Sequence, residues 1–228
     1  MAFKRVTSLT KHSTPKEIET QRLKLLAKVH PAVVKLMLVG DTNTGKTAVI
    51  ERFLHGTHRD QLPPTCSVDF ACKNTQFQGE DVQLRIYDSP GTTSFAPQED
   101  ASWAHYLAGM HAVLVCFEVS RRSSFALVPR WLAQVKRQGS AERAAPTHLK
   151  LAATVCILVG TKCDVGRSDA PGTPRRQVSY DEAIDFARRN GLVYVETSAA
   201  EPTNVEELFT VGIAEVVGAG EAAKIGGR

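Results

Sequence analysis

An α/β domain built on a six-stranded, mostly parallel sheet is the fold the sequence predicts, and three observations predict it. From residue 30 onward, strand-like apolar runs alternate with segments of helical periodicity. Only one pair of runs is separated by a gap too short for a helix, Gln78-Gly79-Glu80-Asp81. That gap reads as a hairpin turn, which makes one edge strand antiparallel. The other strands are joined through helices, which implies right-handed crossovers and parallel pairing. Finally, a glycine-rich turn, Gly40 to Thr47, lies directly between the first strand and the first helix. In doubly wound sheets the crevice at the carboxyl ends of the strands is where ligands sit, and this turn lies there.

Taken in order, residues 1–12 show no pattern and are expected to be disordered. Ser13 or Thr14, followed by Pro15 and Glu17, starts a short amphipathic helix over 15–29, with Ile18, Leu25, Leu26 and Val29 on one face. That helix either folds back on the domain or serves a partner or a membrane. Residues 1–30 thus form a basic extension, 31–217 the folded domain and 218–228 a flexible Gly/Ala-rich tail. Strands are expected at 33–39, 68–77, 82–87, 112–118, 154–159 and 192–196. Five helices are expected near 46–55, 99–108, 123–138, 179–190 and 203–217. Gly139 to Ala153 and Gly166 to Gln177 read as surface insertions.

Composition narrows the function. The 228 residues suffice for one domain of about 160–180 residues plus tails. A net charge of +4 is too small to argue for nucleic acid, and the basic excess gathers before residue 30. Cys66, Cys72, Cys116, Cys156 and Cys163 are odd in number and lie at no metal-ligand spacing. They are expected to be reduced thiols, mostly buried. No apolar run approaches the roughly 20 residues that span a bilayer, so a cytoplasmic protein is expected.

The turn Gly40-Asp41-Thr42-Asn43-Thr44-Gly45-Lys46-Thr47 matches the phosphate-loop pattern Gly-x-x-x-x-Gly-Lys-[Ser/Thr] in full. Its glycines let backbone N–H groups point at phosphate oxygens, with the positive end of the next helix behind them. Lys46 would reach the β- and γ-phosphates and the Thr47 hydroxyl would ligate Mg²⁺. Asp41, Thr42, Asn43, Thr44, Gly45, Lys46, Thr47 and Ala48 together form the predicted phosphate cradle.

Downstream segments supply the rest of a switchable site. Asp88-Ser89-Pro90-Gly91 ends the third strand. Its carboxylate can hold Mg²⁺ through water, and a glycine lets its own N–H approach the γ-phosphate. Thr65, in the polar loop entering the second strand, can add a Mg²⁺ ligand when the γ-phosphate is present. Thr161-Lys162-Cys163-Asp164 ends the fifth strand. Asp164 is an acceptor-only carboxylate suited to the N1–H and 2-amino donors of guanine, and adenine would leave it unpaired. The Lys162 stem can lie along the base. Glu196-Thr197-Ser198-Ala199, after the sixth strand, offers backbone N–H groups to the guanine carbonyl.

On these residues the chain resembles the Ras superfamily of small GTPases over residues 32–217. It resembles the Rab branch through Thr65 to Phe70, Ser124-Phe125 and Val195 to Ala199. The resemblance implies a GTP/GDP switch using Mg²⁺, with mobile loops around Thr65 and Asp88 to Phe95. Effectors, an exchange factor and a GTPase-activating protein would meet those loops. By position, Thr47, Thr65 and Asp88 would hold the metal, the last through water. Gly91 would sense the γ-phosphate. Thr161, Lys162, Asp164, Ser198 and Ala199 would form the guanine pocket. Lys46, Thr65, Gly91 and Thr92 would stand nearest the hydrolytic chemistry. The implied molecule is a monomer.

Departures from the family pattern carry their own expectations. Thr92 stands where a glutamine usually orients the attacking water, and a threonine is too short to do so in the same way. Slow intrinsic hydrolysis follows. Thr161 replaces the usual asparagine, Asn43 a glycine or valine, and His58 the aromatic that covers one face of the base. The last cysteine is Cys163 and residue 2 is Ala2, so neither prenylation nor N-myristoylation is expected. Any membrane recruitment would then come through partners. Two functions stay open: a slow GTPase switch in intracellular trafficking, and a non-hydrolysing GTP-binding scaffold subunit of a trafficking or ciliary complex. A phosphate-loop ATPase or kinase is disfavoured by Thr161 to Asp164.

Overall fold

The computed structural model describes residues 32–91, 106–107, 109–139, 154–165 and 174–225. β1 (Ala32–Gly40) leads to α1 (Lys46–His55), and β2 (Asp69–Phe77) and β3 (Glu80–Asp88) follow. Then come β4 (Ala112–Glu118), α2 (Arg122–Ala126), α3 (Val128–Gly139), β5 (Val155–Thr161), α4 (Tyr180–Asn190), β6 (Val193–Glu196) and α5 (Val205–Ile225). The sheet has six strands in the order β2-β3-β1-β4-β5-β6. β2 runs antiparallel to β3 and every other neighbouring pair is parallel. This is the α/β class the alternation predicts.

β1 is apolar on both faces because helices cover both. Leu36 and Leu38 point into one core with Phe53 of α1 and Phe209 and Ile213 of α5. Met37 and Val39 point into the other with Trp131 of α3 and Ala183 and Ala187 of α4. Period-2 side chains of one strand thus feed two cores, as in buried parallel sheets. At roughly 1.5–3 kcal/mol for each fully buried aliphatic side chain, this strand anchors the loop that follows it.

Several boundaries differ from the periodicity. The β2–β3 turn is two residues, Gln78 and Gly79, with φ of 53° and 81°, and Phe77 pairs Glu80. Two left-handed residues match the twist of a tight hairpin, so the strands run further than the polar gap suggests. The helix expected over 123–138 divides at Leu127. Pro129 has no N–H to continue the ladder and fits the first turn of α3 instead. α5 continues to Ile225, past residue 217 and into the stretch expected to be a flexible tail. Its last turn, Glu221-Ala222-Ala223-Lys224, is made of strong helix formers that outweigh Gly218 and Gly220. The expected helix 15–29, most of 99–108 and most of both insertions lie outside the described residues. Tyr106 and Leu107 are helical. Cys66 and Cys72 are exposed, which corrects the expectation of mostly buried thiols: Cys66 precedes β2 and Cys72 faces outward on that edge strand.

Candidate functional site: a nucleotide cavity at the carboxyl edge of the sheet

The strands deliver the polar residues to one edge. β1 ends in the glycine-rich loop, β3 at Asp88, β5 at Thr161 and β6 at Glu196. Between them lies a cavity of about 720 Å³ walled by Thr42, Asn43, Gly45 to Val49, His58 to Thr65, Gly91, Thr161, Lys162, Asp164, Val165, Ala199 and Ala200. That volume falls within the range of small-molecule sites and is large enough for a nucleotide.

The loop's shape follows from its residues. Gly45 has φ 82° and Asn43 φ 60°, a left-handed bend that asparagine tolerates better than other side-chain-bearing residues. This is the physical reason an asparagine can stand there. Gly40 lies so close to β4 that a Cβ would sit 2.3 Å from the Cys116 carbonyl oxygen. The Lys46 ammonium is buried and donates to the Gly40 and Asp41 carbonyls, each at 3.0 Å, so it spans the loop. Burial pushes its pKa down, opposed by nearby Cys116, Asp88 and Asp41. An anion in the cavity would restore the charged form.

Three residues far apart in sequence converge beside it. Thr47 Oγ1 donates to Asp88 Oδ2 at 2.5 Å and lies 2.9 Å from Thr65 Oγ1, which is 3.2 Å from the same Asp88 oxygen. The other oxygen, Oδ1, is buried with no hydrogen-bond partner. Burial raises the Asp88 pKa, opposed by the Thr47 hydrogen bond and the Lys46 charge. An all-oxygen set with one orphaned carboxylate oxygen fits Mg²⁺, which takes hard oxygen ligands and keeps several waters. Thr47, Thr65 and Asp88 would hold it, and the cation would supply charge stabilisation of the phosphate oxygens.

Gly91 stands against the glycine-rich loop. A Cβ there would lie 2.4 Å from Thr42 Cα and 2.6 Å from Thr42 N, so only glycine fits. Its carbonyl accepts from Thr42 Oγ1 at 2.7 Å. Thr92 lies outside the described residues.

At the other end of the cavity, the Thr161 hydroxyl lies 2.5 Å from the Thr44 carbonyl oxygen and 2.9 Å from that of Phe117. A threonine therefore ties the fifth-strand loop to the glycine-rich loop. Asp164 and Lys162 line the cavity, as does His58, whose Nε2 is 3.5 Å from Asp60 Oδ1. Ser198 does not: it is buried, trades two backbone hydrogen bonds with Thr203 and accepts from the Glu201 N–H. Ala199 and Ala200 form the wall instead. Asp41 and Thr44, also expected in the cradle, are buried behind it, Thr44 with its N–H and hydroxyl both directed to the Asp41 carbonyl.

One positioning residue carries no sequence signal. Arg52 of α1 donates to the carbonyls of Ala199 at 2.6 Å, Ala200 at 3.1 Å and Gly56 at 2.7 Å. It staples the last loop to the helix that begins at Lys46, a contact spanning more than a hundred residues that no local pattern marks.

A phosphate cradle, an oxygen-only cation site and an acceptor carboxylate at the far end define a class: a P-loop nucleotide-binding domain with a base pocket. A family model described as Ras family matches residues 35–217, and the chain belongs to that family. It is 29% identical over 184 residues to Ras-related protein Rab-19 of Homo sapiens, covering 80% of this chain and 75% of that one. It is 34% identical over 175 residues to GTP-binding protein YPT1 of Saccharomyces cerevisiae, covering 77% and 74%. The figures for Ras-related protein Rab-13 of Canis lupus familiaris are 29% over 187 residues, 81% and 80%. This is a Rab-like small GTPase. At family level such proteins bind GTP and GDP with Mg²⁺, hydrolyse GTP and act as membrane-trafficking switches that meet effectors, exchange factors and activating proteins. Among the described residues no helix is long and apolar enough to cross a membrane.

Proposed function

We propose that this chain is a GTP/GDP switch in intracellular trafficking whose intrinsic hydrolysis is slow. The observation that carries the reading is the meeting of Thr47, Thr65 and Asp88 within hydrogen-bonding distance of one another. They come from the first turn of α1, the loop before β2 and the end of β3, and together they offer an all-oxygen set with one buried carboxylate oxygen unpaired, which suits a hard cation. Lys46, Thr47, Asn43, Gly45 and Ala48 hold the phosphates, and Thr47 and Thr65 the Mg²⁺, with Asp88 acting through water. Asp41 and Thr44 shape the loop from behind. Gly91 offers its N–H to the γ-phosphate. Asp164 reads guanine, Lys162 lies along the base, and the Ala199 backbone meets the guanine carbonyl, with Ser198 bracing that loop from behind through Thr203.

Slowness rests on Thr92, whose side chain is too short to orient water as glutamine does. Effectors dock beside Thr65, where Phe70 is half-exposed and its ring centroid lies 5.1 Å from that of Tyr87. An exposed aromatic ring seated on a half-buried one, next to a nucleotide-sensing loop, is a natural anchor for a partner. Recruitment to endomembranes comes through such partners. The scaffold reading gains nothing from the cavity or from the relatives.

The test is single-turnover hydrolysis of Mg²⁺·GTP, with chromatography identifying the nucleotide carried through purification. Conversion to GDP over minutes to hours is expected, with Thr92→Gln accelerating it by about tenfold or more. GTP that stays unconverted in both proteins would sink the switch.

A further inference from the structure

Behind the cavity, four charges of alternating sign run from the glycine-rich loop to the base loop. Arg121 Nη2 lies 3.5 Å from Asp41 Oδ2 and donates to the Thr42 carbonyl at 2.5 Å. Arg121 Nε lies 3.7 Å from Glu118 Oε2. That same carboxylate oxygen is 3.0 Å from Lys162 Nζ, while Oε1 accepts from Ser120 Oγ at 2.6 Å. Neither Arg121 nor Glu118 lines the cavity. Glu118 ends β4 and Arg121 lies in the turn between it and α2, a segment with no assigned part in nucleotide binding.

The arrangement answers an electrostatic problem. Asp41 is a carboxylate only 5% exposed, inside the loop that must accept a polyanion. Its immediate neighbours Thr42 and Asn43 form the cavity wall. Its Oδ1 also takes the Thr42 N–H at 2.7 Å, drawing that donor away from a phosphate. An uncompensated buried carboxylate there would repel every phosphate it faces. Charge and hydrogen bonding therefore meet at one guanidinium, which a planar fork suits better than an ammonium.

We propose that Arg121 is a positioning residue for nucleotide binding: it neutralises Asp41 within the phosphate loop and, through Glu118, holds Lys162 at the base loop. The proposal rests on reading the cavity as the guanine-nucleotide site and adds a part that the β4–α2 turn plays in it. The two arms have separate signatures. The Asp41 arm acts on phosphates, so its loss should grow with ligand charge. The Glu118 arm acts on Lys162, so its loss should weaken all guanine nucleotides alike.

The experiment measures the affinity of the full chain for GTP, GDP and GMP in Arg121→Gln, Asp41→Asn, the double variant and Glu118→Gln. Arg121→Gln should weaken GTP by about tenfold, GDP less and GMP by under about threefold, more steeply at low salt. The double variant should bind GTP within about threefold of Asp41→Asn alone, because removing the carboxylate removes the need for its counter-charge. Arg121→Lys keeps the charge but not the fork, so it should recover part of the GTP affinity that Arg121→Gln loses, which covers the case in which Arg121→Gln folds poorly. Glu118→Gln should weaken the three ligands by one common factor. An Arg121 that only braces the fold would give equal losses for all three ligands and no rescue by Asp41→Asn, and that result would overturn the proposal. A wild-type chain that binds none of the three nucleotides would overturn the cavity reading itself, and the proposal with it.

Discussion

In the phosphate half of the cavity the polar groups converge from separate segments and leave a buried carboxylate oxygen, Asp88 Oδ1, without a hydrogen bond. In the base half they are tied to the protein by backbone and side-chain hydrogen bonds. Asp88 keeps a buried oxygen with no hydrogen bond, and burial raises its pKa while lowering that of Lys46. By contrast, Ser198 is paired through both its backbone and its hydroxyl, Arg52 clasps Ala199 and Ala200, and Thr161 bridges to Thr44. Among the buried side-chain groups of that loop, the Thr197 hydroxyl is left without a hydrogen-bond partner. The phosphate half is therefore completed by its ligands, a cation and an anion. The base half is completed by the fold. A switch needs this division, because the part that senses the γ-phosphate must change with it while the part that names the base must not.

The sharpest way to break the comparison is at the base half's acceptor carboxylate. Asp164→Ala removes the acceptor without touching the tethers, so the fold should persist while GTP loses its advantage over ATP, by about a hundredfold or more. Competition between the two nucleotides for the purified protein measures this. Undiminished guanine preference would move base recognition elsewhere.

In the phosphate half, Asp88→Asn keeps the shape and removes the charge that would hold Mg²⁺ through water. Nucleotide release in Mg²⁺ should quicken by about 10–100-fold, in line with outer-shell ligands generally, and chelating the metal should then add little. Release that stayed slow and metal-dependent would show that Asp88 has no part in holding the cation.

A third measurement supplies a control far from both halves. His111 directly precedes β4 at its other end and is buried, with Nδ1 accepting from the Lys35 N–H at 3.1 Å. Burial, aided by the Lys35 charge, pulls its pKa from 6.5 to about 4. The unfolded chain then binds the extra proton first, so stability is held above 6.5 and lost as pH falls toward about 4. The slope approaches about 1.4 kcal/mol per pH unit. Denaturant titrations over that range should show it in wild type and not in His111→Leu. Nucleotide selectivity should not change with it.

What was legible in the sequence follows the same division. The phosphate half was visible because its chemistry demands fixed spacing along one stretch, Gly40 to Thr47, and a strand-end carboxylate at Asp88. The sheet was visible because buried parallel strands must be apolar on both faces, as β1 is. What stayed hidden acts across the chain. Arg52 reaches residues 147 and 148 positions away, and Arg121 reaches back 79 to Thr42. Neither leaves a local periodicity. Ser198 was misplaced for a related reason: a residue in a loop can serve the site by facing away from it. The short β2–β3 turn was hidden because Glu80 and Asp81 look like turn residues, yet they sit in an exposed edge hairpin where polar side chains cost little.

Arg52 gives the finest test of whether the base half is set by the fold. Its guanidinium makes three hydrogen bonds to carbonyls, two of them in the wall-forming loop. Arg52→Ala should cost about 1–3 kcal/mol of stability, since bonds from a charged donor are lost and the carbonyls, partly reached by water, are re-solvated. If the loop is held by the protein alone, guanine nucleotides should all weaken by the same factor, about threefold to tenfold. The ratio of GTP to GDP affinity should not move, because the γ-phosphate lies at the other half. Arg52→Lys should recover little, as an ammonium cannot span three carbonyls with a planar fork. A selective loss for GTP would mean that the two halves are coupled through α1, whose first residue is Lys46 and whose seventh is Arg52. In that case the division drawn between a ligand-completed half and a fold-completed half would give way to a single unit hinged on that helix.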